Sequence, residues 1–294
     1  MDDVVAPLDR LLDNQVLAAD PLAGGDVARC YRLTLAEEIG VNDGERGSRT
    51  VFAKTHDHPL PGFFSTEATG LAWLREIDAV AVPKVIAVSD DPPWLVLQWI
   101  EPGVAQASTE ETFGRALAAL HQAGASAFGR IDRRTTGSRR LPNDPCDSWA
   151  EFFATRRLLP LARLAADDGA LDQATVAAVE SIAARLEHLV GPPEPAARLH
   201  GDLWAGNRLI GSGGTNWLID PAAFAGHREF DLAMMRLFGG FGPASFDAYE
   251  EVTPLAEGWE DRVGLYQVAP LIVHAIKFGG PYVDATRQTV GRLL

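Results

Sequence analysis

The pattern of apolar and polar positions reads as strand-rich with one helix through the first third of the chain, and then turns helical. Val27-Ala28-Arg29-Cys30-Tyr31-Arg32-Leu33 and Thr50-Val51-Phe52-Ala53-Lys54 read as strands, with a hairpin turn between them at Asn42-Asp43-Gly44. Leu71, Leu74 and Ile77 repeat at helical spacing, so a helix is expected from Glu67 to about Ile77, capped by Ser65 or Thr66. Two further strands follow, over Val82–Val88 and Trp94–Ile100, and Glu101-Pro102-Gly103 breaks the pattern. Beyond the break Phe113, Ala116, Leu117 and Leu120 obey the i, i+3, i+4, i+7 rule, up to His121. Trp149–Leu164 and Leu171–Val190 predict longer helices, the second stopped by Gly191-Pro192-Pro193. Short strands near Leu209-Ile210 and Trp217–Ile219 flank the hairpin loop Gly211-Ser212-Gly213-Gly214, and helices dominate again from Phe230. The pattern predicts an α+β chain with a small sheet-rich part over residues 1–100 and a larger helical part over residues 101–294.

Composition narrows the function classes. The 294 residues are 47% hydrophobic and 22% charged, which suits a globular core and excludes a disordered tail. Asp and Glu outnumber Lys and Arg by 40 to 26, giving a net charge of -14, which argues against nucleic acid or anionic membrane as partner. Any anionic ligand then needs local cations, a metal or helix N-termini. The two cysteines, Cys30 and Cys146, build neither a disulfide framework nor a metal motif, and the start Met1-Asp2-Asp3 carries no secretory pattern. A cytoplasmic location is expected. The apolar run Val268–Ile276, interrupted by His274, is too short to span a bilayer.

The stretch His200-Gly201-Asp202-Leu203-Trp204-Ala205-Gly206-Asn207, with Asp220-Pro221 beyond the glycine-rich hairpin, carries the chemistry. Singly, each of these polar residues reads as a turn residue. Together they supply what phosphoryl transfer from a nucleotide needs: Asp202 as base beside an acceptor hydroxyl, and Asn207 and Asp220 as oxygen ligands for Mg2+. A base separated by four intervening residues from a metal-binding Asn matches the kinase catalytic loop. Lys54 at a strand end and Glu67 on the next helix fit the cation that holds the phosphates and the carboxylate that fixes it. A strand-end lysine and a first-turn glutamate are also ordinary structural features. Gly24-Gly25 would cover the phosphates, and backbone groups of Gln98-Trp99-Ile100 would read adenine. The chain contains neither G-x-x-x-x-G-K-[ST] nor a full G-x-G-x-x-G, so P-loop and Rossmann sites find no support.

These motifs, with Leu218-Ile-Asp-Pro-Ala222, Gly226-His-Arg-Glu229, Asp231-Leu-Ala233 and Arg236-Leu-Phe-Gly-Gly240, resemble the fructosamine kinase (ketosamine-3-kinase) family over nearly the whole chain. Trp204, two residues after Asp202, and the Gly-His-Arg-Glu segment set it apart from aminoglycoside and choline phosphotransferases. The resemblance implies a two-lobed protein-kinase-like fold and ATP-dependent phosphorylation of the 3-hydroxyl of a fructosamine, ribulosamine or erythrulosamine, a deglycation step. It also implies that Asp231 braces the catalytic loop. Trp204, His274 and Tyr282 are candidates for the sugar pocket, although His274 sits in an apolar run where a core histidine is the stronger expectation. Two readings stay open beside it: a kinase for another hydroxylated amine, and a pseudokinase that binds without turnover. Some relatives carry a cysteine in the glycine-rich turn where this chain has Asp26, so a thiol switch there is not expected. Trp99, Trp149 and Trp259 are expected to pack, and Arg139-Arg140 and Arg156-Arg157 to be solvated, with a cleft-facing Arg156 as the alternative. The sequence says nothing of oligomeric state.

Overall fold

The computed structural model describes residues 2–23, 28–39, 48–132, 135–136 and 140–294. Gly24, Gly25, Asp26, Val27, the turn Asn42-Asp43-Gly44 and Arg139 lie outside the described residues. The chain runs α1 (Asp2–Leu12), β1 (Val16–Leu22), β2 (Arg29–Ile39), β3 (Ser48–Thr55), α2 (Phe63–Arg75), β4 (Val85–Asp90), β5 (Pro93–Gln98) and α3 (Thr109–Gln122). The strand pair β6 (Thr135–Thr136) and β7 (Leu141–Pro142) follows. Next come α4 (Trp149–Phe152), a wide π turn (Phe153–Leu158), α5 (Leu159–Asp167), α6 (Gln173–Ala183) and β8 (Ala197–Leu199). Beyond these lie β9 (Arg208–Ile210), β10 (Asn216–Leu218), β11 (Phe224–Gly226), α7 (Glu229–Leu237), α8 (Pro243–Val252), α9 (Trp259–Phe278) and α10 (Pro281–Leu293).

The residues pack into two compact units, Met1–Thr109 with Leu209–Pro221, and Glu110–Arg208 with Ala222–Leu294. The hairpin of β9 and β10 thus packs with the first unit. Its backbone meets the segment after β5 through Gly103 N–H to Ile210 O at 2.9 Å and Ser212 N–H to Glu101 O at 3.0 Å.

The first unit is built on an antiparallel sheet in the order β1-β2-β3-β5-β4. Alternation along a strand sends Tyr31, Leu33, Leu35, Val51 and Ala53 into one core with Leu8 of α1. Lys54, one residue on from Ala53, therefore belongs to the opposite face of β3. It stands in the middle of the sheet, opposite Cys30 on one side and Leu95 on the other.

Helix α2 begins four residues before the expected start. Its N-cap is Gly62 at φ 76°, with no side-chain cap, so Ser65 and Thr66 lie inside the helix. The Ser65 hydroxyl donates back to Gly62 O at 3.2 Å, as a hydroxyl within a helix does. Glu67 is accordingly one turn in rather than at the dipole end. The strand expected from Val82 starts at Val85, past Pro83, which has no N–H to give a ladder. The helix expected over Leu171–Val190 ends at Ala183, and a tight turn over Leu186–His188 follows.

The second unit centres on Trp149, whose ring stacks near Phe152, Phe153 and Phe224 with centroids 5.8, 5.1 and 6.5 Å away. Trp149 and Trp259 pack as expected. Arg157 does not behave as a solvated charge. It is buried, lies over the rings of Phe224 and Phe152, and donates to Pro142 O and Asn143 Oδ1, both at 2.7 Å. The π turn gives that segment a wider register than an α-helix and faces Arg157 inward. Burial pulls its pKa down to about 9.

Helices α3 and α8 approach closely at Gly114, where a Cβ would fall 2.1 Å from Ser245 O. An alanine ordinarily gains about 1 kcal/mol over glycine inside a helix. Here the new methyl meets backbone that cannot swing away, and overpacking costs about 1–3 kcal/mol. Gly114→Ala is expected to lower the melting temperature by a few degrees, read by calorimetry; a rise would mean that the two helices separate freely.

Candidate active site

The first unit concentrates opposite charges around Lys54. Its Nζ lies 2.6 Å from Asp220 Oδ1 and 2.8 Å from Glu67 Oε1. Strand β3 delivers the lysine, α2 the glutamate, and the turn after β10 the aspartate. Lys54 and Glu67 are almost fully enclosed, whereas the Asp220 side chain is half exposed. Burial disfavours the ammonium, yet the two carboxylates outweigh it and hold Lys54 above the ordinary lysine range. Burial pushes the Glu67 carboxyl up, with Lys54 working against that rise. Asp220 adopts φ 53°, a left-handed conformation costing about 1–2 kcal/mol outside glycine.

The segment expected to read adenine leaves β5 at its end. Gln98 Oε1 accepts the Lys84 N–H at 3.2 Å. Trp99 has Arg32 over its ring and donates from Nε1 to Glu101 at 3.0 Å, and Ile100 follows.

The second unit carries the His-Gly-Asp turn after β8. Gly201 stands at φ 81°, and a Cβ there would meet Ala222 O at 2.3 Å, so glycine is required on both counts. Leu203 is fully buried and anchors the turn. Asp231, at the start of α7, accepts the backbone N–H groups of His200 at 2.7 Å and Gly201 at 2.9 Å, the bracing role expected of it. Asn207 donates its amide N–H to Asp202 O at 2.8 Å and to Asp202 Oδ2 at 3.1 Å. The structure thus joins Asp202 to Asn207, and Lys54 to Glu67 and Asp220.

Trp204 is 39% exposed, with its indole lying against Gly206, where a Cβ would overlap the ring. It meets Phe238 edge-on at 6.1 Å, and Phe238 lies 4.8 Å from His274 and 6.4 Å from Tyr282. His274 and Tyr282 are 5.0 Å apart, and Phe278 closes the group at 5.8 Å from Tyr282. His274 Nδ1 is 2.8 Å from Pro270 O, one turn back on α9. The three aromatic residues expected near a sugar therefore share one cluster. Phe238 and Phe278 were missed, although Arg236-Leu-Phe-Gly-Gly240 and Phe278-Gly279-Gly280 put both beside glycine turns.

Another group missed in the sequence buttresses Asn207. Arg208 pairs with Glu110 at 2.6 Å and lies over Phe113 and Phe241. Glu110 also accepts from Gly242 N–H at 2.8 Å and from the Ser245 hydroxyl.

A model of the fructosamine kinase family matches residues 6–294. The chain belongs to the fructosamine kinase family. A probable ketoamine kinase of Synechocystis sp. is 36% identical over 255 residues, 84% of each chain. The crystal structure of a candidate fructosamine-3-kinase from Thermobifida fusca superposes with a TM-score of 0.87 at 39% identity, covering 100% of this chain and 99% of that one. Choline kinase LicA from Streptococcus pneumoniae superposes at a TM-score of 0.63 with 15% identity over 99% and 98% of the two chains, a likeness of fold alone. The chain is a phosphotransferase with a protein-kinase-like fold, and kinases of this family take ATP as substrate. No helix among the described residues is long and apolar enough to cross a membrane.

Two expectations follow from the charges. Lys54→Met strands the enclosed Glu67 carboxylate, so stability should fall by about 3 kcal/mol, and Lys54→Met/Glu67→Gln should recover part of that loss in urea melts. A double variant no better than the single would show that the pair is not coupled. Burial opposes the Glu110 charge, but the donors Arg208, Ser245 and Gly242 N–H outweigh it and depress its pKa. A depressed carboxyl contributes stability that is present above its unfolded value, about 4.5, and lost as pH falls through the lower folded value. The stability gap between wild type and Glu110→Gln should be constant above that pH and shrink below it. A gap that persists into acid would refute the linkage.

Proposed function

We propose that this enzyme transfers the γ-phosphoryl group of ATP to the 3-hydroxyl of a sugar ketoamine. The observation that carries this reading is the pairing of Asp202 with Asn207 on a turn that also exposes Trp204 beside the aromatic cluster. An aromatic face beside a carboxylate suits a polyhydroxylated amine: the ring packs on the C–H face, and the carboxylate takes a hydroxyl proton.

Asp202 orients the acceptor hydroxyl and takes its proton late. A bond forms from that oxygen to the γ-phosphorus, the bond to the bridging oxygen breaks, and ADP leaves. Lys54, fixed by Glu67, holds the nucleotide phosphates, with Gln98-Trp99-Ile100 against adenine. Trp204, His274 and Tyr282 hold the sugar.

A divalent cation fits the donor set. Asn207 spends its amide N–H on Asp202, which leaves its carbonyl oxygen as ligand, and Asp220 offers a half-exposed carboxylate. Among the described residues no three His, Cys, Asp or Glu cluster as a closed metal cage. Mg2+ takes one or two protein oxygens and completes its shell with phosphates and water. Bound there, it would neutralise charge on the phosphate oxygens. The two free cysteines are compatible with a reducing cytoplasm.

A coupled ATP-consumption screen should show turnover of ribulosamine, erythrulosamine or fructosamine, and none of kanamycin or choline. Turnover of the latter pair alone would reassign the acceptor, and no turnover with any of them would favour a binding module. Asp202→Asn should keep nucleotide binding, measured calorimetrically, and lose about 10²–10⁴-fold in kcat. Near-normal transfer would remove Asp202 as base.

A further inference from the structure

A chain of buried polar groups reaches the His-Gly-Asp turn from behind. His121 near the end of α3, Tyr249 of α8 and Asp231 of α7 are all buried, within the second unit. His121 Nδ1 lies 2.8 Å from the Tyr249 hydroxyl, and its Nε2 lies 3.3 Å from Asp231 Oδ2. That same Oδ2 accepts the His200 N–H, while Oδ1 accepts the Gly201 N–H. The close approach of α3 and α8 at Gly114 places Tyr249 beside His121, since residues 114 and 121 are seven apart and share a helix face.

With His121 neutral, the hydrogens have one consistent direction. A carboxylate offers only lone pairs, so the ring nitrogen facing Asp231 must carry the hydrogen. Nδ1 is then an acceptor, and the Tyr249 O–H must donate to it. Burial holds the Tyr249 hydroxyl above the ordinary tyrosine range, which keeps that proton in place. Tyr249 O–H thus fixes the His121 tautomer, and His121 Nε2–H fixes the aim of the carboxylate that grips the turn.

We propose that Tyr249 and His121 are positioning residues: through Asp231 they set the backbone of the His200–Gly201 turn and thereby the placement of Asp202. The kinetic part of this proposal rests on Asp202 acting as the base. The backbone part does not.

Tyr249→Phe removes one oxygen and keeps the ring. It should lower kcat about 10–100-fold, the scale of a small misplacement transmitted to a catalytic group, at unchanged KM for ATP. His121→Gln, which keeps an amide N–H for Asp231, should retain more kcat than His121→Leu. Without substrate, hydrogen exchange at the His200 and Gly201 amides should quicken about tenfold in Tyr249→Phe, while Phe224–Gly226 exchange as in wild type. Nitrogen NMR should find His121 protonated at Nε2 and bare at Nδ1 in the wild type. A proton on Nδ1, or unchanged exchange together with unchanged kcat in Tyr249→Phe, would overturn the proposal. Quickened exchange in a Tyr249→Phe variant, found alongside an active Asp202→Asn, would keep the brace and discard only the base.

Discussion

A carboxylate removed from water must be surrounded by donors or be lost as a charge, and Asp231 meets that demand with three groups from two separate places. His200 and Gly201 give backbone N–H groups, and His121 gives a ring nitrogen. Unpaired, such a group would cost several kcal/mol. The turn that holds Asp202 is therefore not free to adopt the conformations that its own residues allow. Gly201, at positive φ against Ala222 O, shows the same constraint from the other side: only a residue without a side chain follows the path that Asp231 dictates.

The first unit solves a different electrostatic problem. The protein carries a net charge of -14, yet its phosphotransfer chemistry needs a fixed cation for an anionic nucleotide. In the proposed function that role falls to Lys54, which stands in the middle of the sheet, where strands on both sides restrain β3. Glu67 holds the ammonium from an enclosed position, and Asp220 holds it from a half-exposed one. The unequal exposure matters, because the exposed carboxylate can exchange partners with solvent or ligand at lower desolvation cost. The left-handed backbone at Asp220 is local strain retained at a place where a side chain must be aimed.

Much of this was legible before folding. The strands around Arg29–Leu33 and Thr50–Lys54 read as short β-type runs, Trp94–Gln98 as a continuous apolar strand, and α3 follows its helical repeat to His121. The spacing of Asp202, Asn207 and Asp220 carried the chemistry. Less legible were α1 and β1, to which no element was assigned; α1 has Pro7 inside it, which reads as a helix breaker, although Val4, Val5, Leu8, Leu11 and Leu12 form an apolar stripe on the core. The three-residue strands β8 and β11 are too short to show any period. Arg157 looked like surface charge, because nothing in a linear pattern distinguishes a guanidinium bound for solvent from one bound for an aromatic cage. The start of α2 was misplaced since two hydroxyl residues after Gly62 imitate a cap.

The sequence by itself determined the local periods, the reactive groups and their order along the chain, for these depend on neighbours a few residues apart. Only the tertiary structure decided which groups meet. Lys54 and Asp220 are 166 positions apart, and His121 and Tyr249 are 128, yet each pair lies within hydrogen-bond distance. Such contacts come from packing sheet on helix and α3 on α8, where complementary shapes and satisfied buried charges select the partners. No short-range pattern encodes that selection.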